Sequence, residues 1–171
     1  MNNFIKIAKS KISGQGVFAN ININKFQTIC FLEGEKIDIY EMMKRIDDGI
    51  EAGSDPLQID DETYLDLDEL SRLFNHSCNP NGYIKGRNEL IAIKDIKIGE
   101  EIKYDYSTTM NDNEKIINDA KGILWTCRCK CGESNCRKLI DQFRRLPKET
   151  QEFYINNKMI PDFILRKFDK N

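Results

Sequence analysis

A chain of 171 residues is the size of one globular domain and can bury roughly 70% of the surface its unfolded form exposes. Hydrophobic residues at 40% and charged residues at 32%, with ten Gly and four Pro, exclude collagenous, mucin-like and low-complexity disordered chains. The apolar runs fall far short of the ~20 residues of a membrane helix, and a net charge of -2 argues against a domain built around a basic nucleic-acid-binding stripe, so a soluble chain without membrane or direct nucleic-acid contact is expected.

Residues 4–9 alternate apolar and polar side chains and lack the continuous apolar stretch of a signal peptide, so they read as a first strand. Strands over 16–20 and 28–33 follow, with Ser13-Gly14-Gln15-Gly16 as a turn. Tyr40, Met43, Ile46, Asp47 and Ile50 stand at helical spacing, which predicts a short helix ending near Gly49 or Gly53. Residues 64–67 alternate again, and 69–74 read as a turn or two of helix. Strands are predicted at 90–93 and 101–106, on either side of a turn at Ile98-Gly99-Glu100. In the second of these Tyr104 and Tyr106 share one face and Asp105 takes the other. A polar, partly helical connection covers 112–122. Helices open at Leu146-Pro147-Lys148-Glu149 and at Pro161-Asp162. Short strands dominate the first 106 residues, and the fold expected is mainly β with short helices.

Charge is unevenly spread. Residues 33–69 hold fourteen Asp/Glu against Lys36, Lys44 and Arg45, a local balance of -11, whereas 111–171 hold thirteen basic and nine acidic residues. A wall of that sign suits a cationic partner.

With no export signal read at the start, a reducing, cytoplasmic compartment is expected, and six cysteines are then thiols or metal ligands and not disulfides. Cys129-Lys130-Cys131-Gly132-Glu133-Ser134-Asn135-Cys136 is a C-x-C-x4-C array that can fill three corners of a zinc tetrahedron. Candidates for the fourth are Cys127, Cys78, Cys30 and His76. Cys127 would crowd the same side, so Cys78, from a distant loop, is preferred, leaving Cys30 and Cys127 as free thiols. Four sulfur ligands leave no open position for water, which makes such a site structural.

Four segments in order carry a family resemblance: Ser10-Lys11-Ile12-Ser13-Gly14-Gln15-Gly16-Val17-Phe18-Ala19, Ser71-Arg72-Leu73-Phe74-Asn75-His76-Ser77-Cys78-Asn79-Pro80-Asn81, Gly99-Glu100-Glu101-Ile102-Lys103-Tyr104-Asp105-Tyr106, and the cysteine array. Over residues 4–140 the chain resembles SET-domain protein lysine methyltransferases with a post-SET zinc motif. The resemblance implies a pseudoknotted fold that brings Asn75 and His76 beside Tyr106, with a SET domain over 1–110 (33–69 as an acidic insert), a connection and zinc segment over 111–140, and a helical extension over 141–171.

The same resemblance implies S-adenosylmethionine held by Ser13, Gln15, Gly16, Arg72, Asn75 and His76, and one structural Zn2+ on Cys78, Cys129, Cys131 and Cys136. Tyr106 matches the catalytic tyrosine. Tyr104 matches a position occupied by Phe or Tyr, where a hydroxyl restricts the reaction to mono- or dimethylation. The cofactor-contacting Tyr of many members is replaced here by Ser54-Asp55-Pro56-Leu57-Gln58-Ile59. Trp125 is expected over the cofactor or lysine channel, or in the core. The implied substrate is a basic, histone-like or ribosomal protein, in the cytoplasm, at chromatin, or in a host cell if the source is an intracellular bacterium. Rival readings are a non-catalytic module that grips a basic peptide and a zinc-ribbon nucleic-acid binder.

Overall fold

The computed structural model describes residues 4–50 and 55–168; Gly53 and Ser54, named above, lie outside them. In chain order, β1 (Ile5–Lys9) and β2 (Gln15–Ala19) form an antiparallel hairpin. β3 (Thr28–Phe31) and β4 (Gly34–Asp38) lead into α1 (Ile39–Asp47), whose first turn is capped by the Asp38 carboxylate accepting from Glu41 N–H. β5 (Pro56–Asp60), β6 (Thr63–Leu67), β7 (Gly82–Lys85) and β8 (Glu89–Ala92) complete two three-stranded antiparallel sheets, in the orders β4-β6-β5 and β3-β8-β7. α2 (Glu114–Asp119), the short ribbon β9 (Cys127–Arg128) with β10 (Leu139–Ile140), α3 (Lys148–Asn156) and α4 (Asp162–Phe168) follow.

Three apolar clusters hold these pieces together. Val17, Ile23, Leu32, Phe74, Ile84, Leu90, Ile96 and Ile102 fill the space between the small sheets. Because successive strand residues point to opposite faces, Tyr83 and Ile91, the neighbours of Ile84 and Leu90, emerge on the other side of the β7–β8 ladder. There they meet Phe143, Tyr154, Phe163 and Ile164 of the C-terminal elements. The helices after Leu146 therefore cover this sheet. The third cluster seats Ile39, Met42 and Met43 of α1 on Ile37 and Tyr64, with Ile117 of α2 closing it.

Residues 101–106, predicted as a strand, are extended but belong to no ladder. Their hydrogen bonds are divided among three neighbours: Ile102 N–H donates to Val17 C=O, the Lys103 carbonyl accepts from Asn81 and Gly82, and Tyr104 forms a parallel bridge with His76. The segment is enclosed on several sides, and at Tyr106 it turns into a 3-10 turn capped by the Asp105 carboxylate, which accepts from Ser107 N–H.

Candidate active site and metal centre

The enclosed segment 101–106 sets the site. Its twofold alternation puts the Tyr104 and Tyr106 rings together, with centroids 4.9 Å apart, and sends Asp105 to the opposite side. There the buried carboxylate accepts from Arg137 Nη2 at 2.6 Å and from the Tyr154 hydroxyl at 3.4 Å. Tyr106 is tied to the Asn75–His76 segment twice: its N–H donates to His76 Nδ1 at 3.1 Å, and its hydroxyl donates to the Phe74 carbonyl at 2.7 Å. Burial, and then the nearby Asp55 carboxylate, push the Tyr106 phenol above its ordinary value, and burial does the same to Tyr104. Both are neutral phenols at physiological pH. The Tyr104 hydroxyl has no protein hydrogen-bond partner among the described residues and borders a narrow slot.

Three voids lie in series. A cleft of about 580 Å³ is lined by Ser13, Gly14, Gln15, Arg72, Asn75, His76, Tyr106 and Trp125, among others, a size within the ~300–1,000 Å³ of small-molecule sites. The slot, about 10 Å³ and so room for one water, is walled by Pro56, Leu57, Tyr104, Tyr106, Thr109, Met110 and Trp125. A groove of about 440 Å³ runs between α1 and residues 110–126. Tyr106 and Trp125 belong to both cleft and slot, and Pro56, Met110 and Trp125 to both slot and groove.

Most of the sequence-named ligand residues meet at the cleft. Asn75 Nδ2 donates to the Gln15 carbonyl at 3.0 Å and to Glu101 Oε1 at 2.8 Å, which fixes the Ser13–Gln15 turn against the wall. Gly14 takes φ 45°, open to glycine at little cost. Gly16 does not line the cleft. Its missing Cβ makes room for the close approach of Glu101 Oε1 and Asn75 Nδ2. Arg72 reaches the cleft while paired with Asp66 at 3.0 Å. His76 turns its ring to the cysteines, yet its bridge to Tyr104 uses Asn75 C=O and Ser77 N–H. Its own N–H and C=O have no backbone partner among the described residues.

The cysteine segment closes the far side. The His76 nitrogen and the sulfurs of Cys78, Cys129 and Cys131 lie within 4.8 Å of one another, all on buried residues. Half-buried Cys136, the remaining sequence-named ligand, packs on that group but is not one of the four within that distance. Cys78 and Cys129 sulfurs are 3.7 Å apart, close to the ~3.8 Å separation of sulfurs placed tetrahedrally at ~2.3 Å around one ion. The donor set therefore fits zinc. Burial pushes the Cys78 thiol up to about 11; at Cys131 the rise from burial is outweighed by N–H donors of Cys78 and Glu133, giving about 7.

His76 is the one nitrogen candidate. Burial pulls it down to about 4, so it is neutral. Because Nδ1 accepts the Tyr106 N–H, the ring proton sits on Nε2, which points at Cys78 Sγ 3.4 Å away. A protonated nitrogen donates to a thiolate and cannot itself ligate. The turn after Cys131 is tied down by Glu133, which accepts from Lys103 Nζ at 3.0 Å.

Sequence reasoning missed Glu101, Arg137 and the cleft-lining Arg128 and Lys130. Glu101 carries a signal in Gly16, which must be small beneath it. The acidic stretch also reads differently in three dimensions. Arg45 pairs with Glu35, Glu41 and Asp66, Arg166 with Asp60 and Lys167 with Asp61. Among the described carboxylates in 33–69, only Asp47 lines the groove.

Residues 14–107 match the SET domain family. A histone-lysine N-methyltransferase, H3 lysine-4 specific, of Neurospora crassa is 32% identical over 151 residues, covering 80% of this chain and 11% of that protein. A counterpart specific for H3 lysine-36 in Candida albicans is 29% identical over 152 residues, covering 80% of this chain and 16% of its own length. Among solved structures, a chain from a humanized mutant of the Chaetomium thermophilum Polycomb Repressive Complex 2 bound to the inhibitor GSK126 superposes with a TM-score of 0.56 at 25% identity, over 64% of this chain and 15% of that one. The chain spans between 4% and 17% of the length of eight of the curated relatives it matches.

Proposed function

The chain belongs to the SET-domain family, and from that premise we propose that it is an S-adenosylmethionine-dependent protein-lysine N-methyltransferase stabilised by one structural zinc ion. The observation that carries the reading is the sharing of Tyr106 and Trp125 between a cofactor-sized cleft and a slot that opens toward a groove. Two reactants can thus meet end to end across one phenol. In the cleft, Ser13, Gln15, Asn75 and the His76 backbone would hold S-adenosylmethionine, Arg128 and Lys130 would face its carboxylate, and Trp125, Leu73 and Ile140 would cover its flat apolar part. The bound cofactor supplies an electrophilic methyl group. Cys78, Cys129, Cys131 and Cys136 would hold the zinc, with His76 donating to Cys78 from outside the shell.

A lysine with pKa ~10.4 must reach the methyl as an amine. The slot walls, Pro56, Leu57, Met110 and Trp125 among them, desolvate the ammonium and lower its pKa. No described residue lining the slot titrates near neutrality, and Tyr106 is held as a phenol, so the proton leaves to water. Tyr106, fixed by the Phe74 carbonyl, orients the amine, an alignment worth about 7 kcal/mol or more in well-ordered systems. The Tyr104 hydroxyl holds a water where further methyl groups would have to fit, which favours mono- or dimethylation. Relatives named for different histone H3 lysines make a histone-like tail the proposed substrate class and chromatin the proposed place of action.

The test is transfer of labelled methyl from S-adenosylmethionine to core histones and to fractionated lysate. Lysine methylation is expected, rising with pH toward ~10, with Tyr106→Phe about 10²–10³-fold slower at little change in cofactor affinity. Cofactor binding without transfer to any fraction would favour the non-catalytic peptide-binding module instead.

A further inference from the structure

The groove beyond the slot is apolar where the local sequence is most acidic. Met42, Met43 and Ile46 of α1, Ile117 of α2, and Ile123, Leu124 and Trp125 supply its surface. Against these, Asp47 and Lys121 offset one another, and the carboxylate of Asp112 is occupied by the Tyr64 hydroxyl and by Gln142 Nε2. Ile123, on the lining, is 85% exposed, the most of any large apolar side chain among the described residues. An apolar surface of this kind at the mouth of a reaction channel marks a contact site.

Resting on the methyltransferase reading above, we propose that this groove selects the substrate by a bulky apolar side chain one or two residues from the target lysine, and that Ile46, Met43 and Leu124 are its specificity determinants. The occupant follows from continuity. Pro56, Met110 and Trp125 wall both the slot and the groove, so a peptide whose lysine enters the slot lays its neighbouring side chains along the groove, at ~3.3 Å of chain per residue. Arg166 and Lys167 offset only two of the eleven excess negative charges of 33–69. Among the described acidic residues of that stretch, however, only Asp47 lines the groove, so the charge acts at a distance and does not discriminate between neighbouring side chains. Methionines give the surface the adaptability to accept Leu, Met or Phe. Charge brings a basic segment near; the apolar neighbour fixes which lysine is used.

The experiment compares two peptides of identical net charge, one with Leu and one with Ser at both positions flanking a single lysine. The Leu peptide is expected to have kcat/KM about 10- to 100-fold higher, mostly through KM, the effect of burying one such side chain. Ile46→Glu and, at a site too exposed to threaten folding, Ile123→Ser should each shrink that ratio, with the Leu and Ser peptides compared on the same variant. Equal kcat/KM for the two peptides overturns the proposal and leaves methyl transfer standing. If neither peptide is methylated, the reaction reading is what fails, and the groove is still tested by binding: fluorescence titration should show tighter binding of the Leu peptide, and equal Kd values, or a dimer that buries Ile46, overturn the proposal.

Discussion

The two walls of the cofactor-sized cleft are held by different physics. The wall bearing Asn75 and Tyr106 stands on aliphatic burial: Phe74 is 1% exposed and Val17 and Ile102 are fully buried, and the segment is hydrogen-bonded on several sides. The wall bearing residues 125–131 stands on the two-residue strands β9 and β10, on Ile140, and on sulfurs gathered from two distant parts of the chain. Apolar burial organises the first, whereas the second has little apolar surface and would draw its order from the proposed zinc among its thiols. On that proposal one half of the site is a product of folding and the other of metal binding.

Removing the metal is the sharpest way to separate the halves. A chelator, or Cys129→Ser, should abolish cofactor binding, a loss of more than about 100-fold given the strength of structural zinc sites, while the thermal transition of the β-sheet core persists. A single transition that vanishes together with binding would show that the two walls fold as one unit. Arg137 tests the seam between them, because its N–H donates to Cys78 Sγ and its guanidinium to Asp105. Arg137→Met leaves the Asp105 carboxylate buried without its cationic partner, and a loss of about 3–5 kcal/mol by urea unfolding is expected. A loss below about 1 kcal/mol would mean that the Tyr154 hydroxyl and Ser107 N–H carry Asp105 alone. The smallest change lies wholly in the first wall: Tyr104→Phe should leave stability and monomethylation rate within about twofold and move the product toward trimethyl-lysine by mass spectrometry, since no protein hydrogen bond is lost. An unchanged product distribution would remove the water-holding role.

Legibility followed the same division. α1 was readable because one face is buried and the other wet. The β1–β2 hairpin was readable instead from its residue types and the Ser13–Gly16 turn, since no side chain of β1 is fully buried. β7 was not: with Tyr83 packed on one side and Ile84 on the other, alternation disappears. β4 was hidden because Ile37 is its only buried side chain. β5 buries polar Gln58, whose Oε1 accepts from Asn111 N–H, a partner that no local pattern announces. In the site, the C-x-C-x4-C spacing is local and could be read directly, as could the shared face of Tyr104 and Tyr106. Glu101 and Arg137 act across the fold, through contacts 26 and 32 residues apart, and single-chain patterns carry no such information. The partners of Asp60 and Asp61 were beyond local reading for a related reason, because Arg166 and Lys167 lie about a hundred residues away.

Trp125 borders the cleft, the slot and the groove at once, and it is the only tryptophan in the chain. The indole emission of the untagged protein therefore comes from a single source seated at the junction of all three voids. Its wavelength and intensity give an intrinsic optical readout, with no dye attached, of when each compartment fills and in what order.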